Sequence, residues 1–196
     1  MNKKNFLFAA VFFALFAGFG AGAHAQVTIS GGFALSKVVD GTIGTGGNIY
    51  VDYLLPIGIP LSLGGEAGFD TAKVEVDFGT ITEEGRVMAI PFLLRVAYHF
   101  DWFPKFDIYL VGKAGGVYGF TDYSDEEPGV GFAFGVDLGV AYYFTQRVGI
   151  FAEAGFDDYI ITSKAGVRTA GGYGVETETI KTPFYRLATV GLSIKL

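Results

Sequence analysis

The protein has 196 residues, of which 51% are hydrophobic and only 17% are charged, with 30 Gly, 20 Phe, 11 Tyr and no Cys. This charged fraction lies below the roughly 25% of an ordinary soluble domain, and the composition excludes a disordered chain. The absence of Cys excludes disulfides, thiolate metal sites and thiol nucleophiles. A formal net charge of −6 argues against a nucleic-acid partner, which would need a basic face. We expect one domain, no cofactor and a chain suited to close packing of strands in a membrane.

The first 25 residues have the pattern of a secretory signal peptide. Lys3 and Lys4 are followed by eleven apolar residues, 6–16, and then by small residues that end in Ala23 and Ala25. Ala23 and Ala25 fit the A-x-A cleavage pattern. The alternative is a membrane anchor, but the apolar run is shorter than the ~20 residues that a helical span needs. We predict cleavage after Ala25, which leaves residues 26–196 as the working domain.

After residue 25 the sequence alternates with a period of two, as strands with two different faces do. In 130–144 every even position is a large apolar residue, and most odd positions are Gly or Ala. A soluble β-sandwich would also alternate, but its second face would carry Lys, Glu and Thr. No stretch after residue 25 has 18 uncharged apolar residues, so a bundle of membrane-spanning helices is excluded.

The same alternation defines eight segments, most of them long enough to cross a bilayer as tilted strands of ~9–11 residues. They are 27–36, 48–55, 61–70, 88–98, 106–120, 130–144, 148–157 and 184–196. An open sheet in lipid would leave backbone amides unpaired at its edges, so the sheet must close. The sequence predicts an all-β protein, a closed eight-stranded antiparallel up-and-down transmembrane β-barrel.

The connections between these segments fall into a short and a long set. The short set is 57–60, 99–105 and 145–147, and we assign it to the periplasm. The long set, 38–47, 71–85, 121–129 and 158–182, is rich in Gly and acidic residues, and we assign it to the outer surface. The acidic clusters 83–84, 125–127 and 157–158 could bind Ca²⁺, although ordinary solvated loop charge is the favoured explanation.

The last strand carries a pattern of spaced residues: polar Thr189, Gly191, hydrophobic Ile194 and hydrophobic Leu196. This resembles the C-terminal insertion signal of bacterial outer-membrane barrels, except that the final residue is Leu rather than an aromatic. With the eight segments, residues 26–196 resemble the small eight-stranded outer-membrane barrels of the OmpX, opacity-protein and OmpA membrane-domain type. The resemblance implies a bacterial outer-membrane location, contact with outer-membrane lipids, and recognition by the barrel-assembly machinery during insertion.

Six charged residues fall at inward positions of the predicted strands. Counting from the strand ends pairs Glu66 with Arg95 and Lys113 with Asp137, and it puts Asp52 and Glu153 near the same layer. Buried charges are tolerated only when they are paired, so a salt-bridge layer is expected on structural grounds. The alternative is a gate that opens a narrow channel for ions or small solutes by an exchange of partners.

Glycines at inward positions on strands five to seven leave two interpretations open. They could make room for aromatic side chains from the opposite wall, or they could leave a narrow cavity. With only eight strands, a filled interior is favoured.

Some small barrels that resemble this one are lipid A deacylases or palmitoyl transferases, which use Ser and His at the outer leaflet. Here His99 falls in a predicted periplasmic turn with no motif-like Ser beside it, so we predict that the protein is not an enzyme. Loops on a rigid scaffold usually carry recognition. We therefore expect a structural, surface-recognition or adhesion role, in which 71–85 and 158–182 contact host or neighbouring-cell surface molecules.

Overall fold

Eight β-strands form the whole of the regular structure in the described part of the chain. The computed structural model describes residues 26–38, 42–77, 82–103, 105–122, 126–169 and 172–196. The strands are β1 Gln26–Val38, β2 Ile43–Leu54, β3 Leu61–Asp77, β4 Thr82–Phe103, β5 Phe106–Thr121, β6 Glu126–Tyr143, β7 Val148–Thr169 and β8 Gly172–Lys195. The predicted signal peptide and its cleavage residues lie outside the described residues.

The strands close into a single barrel. Each strand pairs antiparallel with the next, and β8 returns to pair with β1 along eleven positions, from Thr28 opposite Lys195 to Val38 opposite Phe184. The predicted fold class is therefore confirmed. No helix among the residues that the structure describes has the length and apolar content to cross a membrane.

The polarity of the barrel is inverted relative to a soluble protein. Phe134, Leu138, Val190 and Leu192 point outward and expose 42%, 57%, 56% and 60% of their surface. The buried set instead includes Asp, Glu, Arg and Lys side chains. An apolar exterior around a polar interior is the arrangement required of strands that lie in hydrocarbon.

The strands extend further than the sequence alternation predicted. At one end of the barrel, β4 continues to Phe103, so His99 lies within a strand and not in a turn. At the other end, β3 and β4 stay paired to Asp77 opposite Thr82, and β7 and β8 stay paired to Thr169 opposite Gly172. The prediction of long loops at 71–85 and 158–182 was therefore wrong, because paired strands fill most of both ranges. We call these the β3–β4 hairpin and the β7–β8 hairpin, and their end of the barrel the hairpin end.

The opposite end, which we call the short-turn end, is closed by compact connections. Between β2 and β3, Gly58 has φ of +77°, a conformation that suits glycine because it has no Cβ. Between β6 and β7, the Thr145 hydroxyl oxygen accepts hydrogen bonds from the backbone amides of Arg147 and Val148 at 3.2 and 2.8 Å. These bonds satisfy amides that the tight turn removes from the ladder.

A β-bulge in β8 changes which residues face the lumen. Opposite Leu35 lies Ala188, but opposite Ser36 lies Arg186, so Leu187 is the extra residue. Strict alternation along 184–196 would place Leu187 on the same face as Thr189, inside the barrel. Leu187 is 42% exposed on the outside, whereas Arg186 is 2% exposed inside.

The lumen is filled in layers. Toward the hairpin end lies an apolar cluster that includes Leu93, Val117 and Tyr159, and toward the short-turn end lies an aromatic-rich cluster that includes Tyr109 and Phe151. Arg95 lies between Leu93 and Ala97 along the inward face of β4, so the charged residues occupy the level between the two clusters.

Candidate functional site: the ion cluster and the short-turn cavity

Arg95 lies at the centre of a buried group of ions. Its Nη1 lies 2.7 Å from Glu66 Oε2, its Nη2 lies 2.6 Å from Glu153 Oε1, and its Nε lies 3.3 Å from Asp52 Oδ1. The guanidinium also stacks on the Tyr50 ring, with Cζ 3.7 Å from the ring centroid. A planar group with five donors can satisfy several carboxylates at once, and Arg95 has that role here.

Two further cations complete this ion cluster. The ammonium of Lys113 forms a close ion pair with Asp137 and lies 2.9 Å from Asp157 Oδ2. The guanidinium of Arg186 forms a close ion pair with Glu66 and lies 2.6 Å from Asp70 Oδ2. The structure thus brings together the six predicted lumen residues Asp52, Glu66, Arg95, Lys113, Asp137 and Glu153, and it adds Asp70, Asp157 and Arg186.

The three added residues were missed for different reasons. Asp70 and Asp157 fall at inward positions in the sequence, and the alternation alone could have found them. Asp157 was instead grouped with the acidic residues of the outer surface, yet it is 1% exposed and binds Lys113 in the lumen. Arg186 falls on the wrong phase of the alternation and turns inward only because of the bulge at Leu187.

Neutral donors bind the same carboxylates. Asn48 Nδ2 donates to Glu66 at 2.9 Å, and the Tyr109 hydroxyl donates to Glu153 at 2.9 Å. The hydroxyl of Ser36 donates to Asp70 at 2.7 Å. Among the described residues the cluster still contains six carboxylates against three cations, so its formal charge is negative. No group of three His, Cys, Asp or Glu side chains in the described chain is arranged to hold a metal ion.

Inward glycines give large side chains the space to fill the lumen. A Cβ at Gly139 would overlap the ring of Tyr109, which leans across from β5. A Cβ at Gly135 or Gly155 would overlap the carboxylate of Asp157 or Asp137. At these positions glycine accommodates the side chain of its partner on the adjacent strand, rather than an aromatic ring from the opposite wall, and at Gly135 and Gly155 that side chain is a carboxylate.

A cavity of about 770 Å³ lies at the short-turn end, below the ion cluster. Three of its lining residues form a hydrogen-bonded row: Ser62 Oγ lies 2.9 Å from His99 Nε2, and His99 Nδ1 lies 2.7 Å from Asp107 Oδ1. We call this row the Ser62–His99–Asp107 relay. Ser62 was not predicted to lie near His99, because His99 was predicted to lie in a turn.

Strand register brings these three residues together. Ser62 pairs with Ala97 on β4, and His99 is two residues further on, at the adjacent inward position. His99 in turn pairs with Tyr109 on β5, and Asp107 is two residues away on the same face. Such diagonal neighbours lie within reach of long side chains. Aligning the inward positions of β3, β4 and β5 is the signal that could have found them.

Three residues of the predicted insertion signal, Thr189, Gly191 and Ile194, lie on β8, and Leu196 follows the strand directly, with its backbone amide donating to the Val27 carbonyl at 2.9 Å. Thr189 is 2% exposed and faces the lumen, whereas Ile194 and Leu196 are 44% and 69% exposed. A Cβ at Gly191 would lie 2.5 Å from the Cα of Gly32, so glycine permits the close contact between β8 and β1.

A closed barrel with an apolar exterior and an ionic lumen defines the class to which the chain belongs: it is a small transmembrane β-barrel of the outer-membrane type. No family model matches the sequence, and no curated protein matches it significantly. The similarity to solved structures therefore rests on the fold.

Three solved structures show this similarity. Neisserial surface protein A (NspA) is 16% identical, with a TM-score of 0.53 over 88% of this chain and 97% of that one. The outer membrane protein OprG from Pseudomonas aeruginosa is 17% identical, with a TM-score of 0.58 over 88% and 96%. A major outer membrane protein from Thermus thermophilus is 15% identical, with a TM-score of 0.59 over 88% and 99%. At these identities the similarity is one of fold.

Proposed function

We propose that the protein is exported by residues 1–25 and resides in the bacterial outer membrane as a closed scaffold that presents two strand hairpins for recognition or adhesion. In this orientation the short-turn end faces the periplasm, and the β3–β4 and β7–β8 hairpins face the outside. The contacts would be with surface molecules of a host or of a neighbouring cell.

The length of the β7–β8 hairpin is the observation that carries this proposal. Ile160, 40% exposed, is the last outward apolar side chain described on β7, and the strand continues for nine residues to Thr169. At about 3.3 Å per residue along the strand, these nine residues add about 30 Å of paired hairpin. A paired hairpin of this height is a stiffer display element than a loop, because its backbone groups bond to each other.

The filled lumen supports a scaffold rather than an open pore. The ion cluster and the two flanking clusters occupy the interior between the short-turn cavity and the hairpin end. A solute entering from either end would have to displace Arg95, whose side chain is fully buried among three carboxylates.

The test is to shorten the β7–β8 hairpin and measure adhesion. Residues 163–180 are replaced by a two-residue Asn-Gly turn, so that Thr162 stays opposite Lys181, and the control replaces 122–126 between β5 and β6 in the same way. Cells that express each variant are assayed on immobilised fibronectin, on laminin and on epithelial monolayers. The proposal predicts that adhesion falls to the vector background in the first variant only, with heat-modifiable gel migration retained in both. Equal adhesion by both variants would refute it.

A channel gated by internal salt bridges is the second candidate, and one observation favours it. Besides its contacts with Asp137 and Asp157, Lys113 Nζ lies 3.6 Å from both Glu66 and Glu153, so alternative partners are within reach. Planar-bilayer recordings of the wild type, Arg95→Ala and Lys113→Ala test it. Conductance steps that are larger in the two variants than in the wild type support the gated channel. If none of the three proteins conducts, the channel hypothesis is refuted.

The barrel-assembly machinery is the partner that we propose for insertion. The supporting observation is that Gly191 and Ile194 lie on the strand that forms the closing seam with β1. During insertion this strand would be the natural edge to recognise, because one of its two edges stays unpaired until it meets β1.

A further inference from the structure

The cavity opens at the short-turn end, where residues of the β2–β3 and β4–β5 turns line it. Its inner end is bounded by Tyr50, Asp52 and Tyr109, which belong to or contact the ion cluster. Its volume of about 770 Å³ falls within the ~300–1,000 Å³ of small-molecule sites. A molecule that enters from the short-turn side therefore reaches a blind pocket on whose wall the Ser62–His99–Asp107 relay lies.

The relay has the hydrogen-bond order of a nucleophile, a general base and an orienting carboxylate. Both links, at 2.9 and 2.7 Å, lie within the ~2.6–3.2 Å that proton transfer requires. With Asp107 ionised, Nδ1 of His99 carries the proton that it donates to Oδ1. Nε2 is then left as the acceptor for the Ser62 hydroxyl.

Surrounding contacts hold the three side chains in this order. The backbone amide of His99 donates to the Pro60 carbonyl at 2.8 Å, and its ring lies against Tyr109 with centroids 5.5 Å apart. The second oxygen of Asp107 lies 3.9 Å from Lys195 Nζ. Three adjacent strands of a closed barrel thus fix the groups on a rigid wall, as a catalytic arrangement requires.

A purely structural role would need only that each polar group be satisfied. The Ser30–Ser193–Tyr143 row of hydroxyls also borders the cavity, but it contains no general base. The relay contains His99, and the side chains of His99 and Asp107 are 17% and 19% exposed at the cavity wall. We propose that Ser62, His99 and Asp107 form a catalytic triad that hydrolyses carboxylic esters entering from the short-turn end.

The chemistry balances with water as the second reactant. The Ser62 Oγ attacks the ester carbonyl carbon as its proton moves to His99 Nε2, and the bond to the leaving oxygen breaks as that oxygen takes the proton from Nε2. This gives an acyl-Ser62 and a free alcohol. Water then attacks the acyl carbon, giving its proton to Nε2, and Ser62 regains it as the carboxylic acid leaves. Ser62 and His99 are the catalytic residues in this step, and Asp107 is a positioning residue.

The shape of the cavity limits the substrate. Ser62 is only 2% exposed, so we expect a small acyl group to reach it more readily than a branched one. The outer part of the cavity is lined by apolar side chains: Leu54, Leu55, Ile59, Trp102, Phe103 and Phe106. These residues would contact the alcohol portion at the mouth, while the acyl group lies beside Ser62. The chemical class is a carboxylic ester with a short, unbranched acyl group.

The experiment labels the serine directly in the folded protein. Purified wild type in detergent is treated with a fluorophosphonate probe and assayed for hydrolysis of p-nitrophenyl acetate and of its branched pivalate analogue. The variants are Ser62→Ala, His99→Gln and Asp107→Asn, and the matched control is Ser36→Ala, which removes a buried serine hydroxyl outside the cavity. Heat-modifiable migration confirms that each variant is folded.

The triad predicts phosphonate on Ser62 in the wild type and in Ser36→Ala, with none in Ser62→Ala. Acetate hydrolysis should fall about 100-fold or more in His99→Gln, since a general base contributes ~10²–10⁴. Asp107→Asn should lower kcat with KM unchanged, and the pivalate should react far more slowly than the acetate. If a variant fails to fold, heat-unfolded wild type replaces it as the negative control. The unfolded protein should not react with the fluorophosphonate probe. An unlabelled Ser62 in folded wild type, or hydrolysis equal in wild type and Ser62→Ala, overturns the proposal.

Discussion

Removal of the Arg95 side chain tests whether the ion cluster stabilises the barrel. In Arg95→Ala, Glu66, Glu153 and Asp52 lose the guanidinium that contacts all three within 3.3 Å. Breaking a buried ion pair by removing one partner costs about 3–5 kcal/mol, because a charge is left buried without compensation. The cluster already contains more carboxylates than cations, so we expect a loss in unfolding free energy at the upper end of this range.

Urea unfolding in detergent micelles measures the loss. Trp102 is the single tryptophan and lies 68% exposed at the short-turn end, so its fluorescence reports on unfolding. At an m-value of about 2 kcal/mol/M, the midpoint should shift down by about 2 M. Arg147→Ala removes an exposed arginine from the turn between β6 and β7, and it should change stability by less than about 0.5 kcal/mol.

A second substitution tests the reason for the loss. Glu153→Gln in the Arg95→Ala background removes one uncompensated charge, and the amide oxygen can still accept the bond from Tyr109. The double variant should regain at least about 1 kcal/mol, a coupling that a double-mutant cycle resolves. The reasoning fails if Arg95→Ala unfolds within about 1 kcal/mol of wild type, or if Glu153→Gln destabilises both backgrounds equally.

Two further predictions concern the wall of the barrel. Gly115→Ala places a Cβ against the backbone of Phe92 and Leu93, and it should lower the free energy of unfolding by about 1–3 kcal/mol in the same urea assay. Gly112→Ala on the same strand places a Cβ that meets nothing within 4 Å, so its free energy of unfolding should equal that of the wild type. Equal stability of the two variants would contradict the close strand approach seen at Gly115. Leu94→Arg puts a cation in the middle of the apolar surface and should cost about 2–4 kcal/mol in lipid vesicles, against about 0–1 for Ile57→Arg in a short turn. If Leu94→Arg is tolerated as well as Ile57→Arg, the outward face of β4 does not contact hydrocarbon.

The barrel wall could be predicted from the sequence because one physical constraint acts on every second residue. Lipid outside and a narrow lumen inside require Phe134 and Leu138 on one face and Gly135 and Asp137 on the other. This alternation can be recognised in the sequence of one strand, even when its partner strand is not known. The pairs Glu66–Arg95 and Lys113–Asp137 followed from the same count along neighbouring strands.

The rest depends on register and on departures from it. One extra residue at Leu187 turns Arg186 into the lumen, and nothing in the local composition marks the bulge. To predict the Ser62–His99–Asp107 relay from the sequence, one would need the exact residue-by-residue register of β3, β4 and β5. The β3–β4 and β7–β8 hairpins were predicted as loops because the apolar alternation of their strands ends before the backbone pairing does.

Glu66 contacts groups from four other strands: Asn48 on β2, Arg95 on β4, Lys113 on β5 and Arg186 on β8. Arg186 is 120 positions away along the chain, so no consecutive set of fewer than six strands, β3 to β8, can bring the two together. A partly assembled sheet would hold a bare carboxylate or guanidinium close to hydrocarbon, a species too unfavourable to accumulate. We expect assembly to be all-or-none, with the wall and its ionic filling completed in one cooperative event.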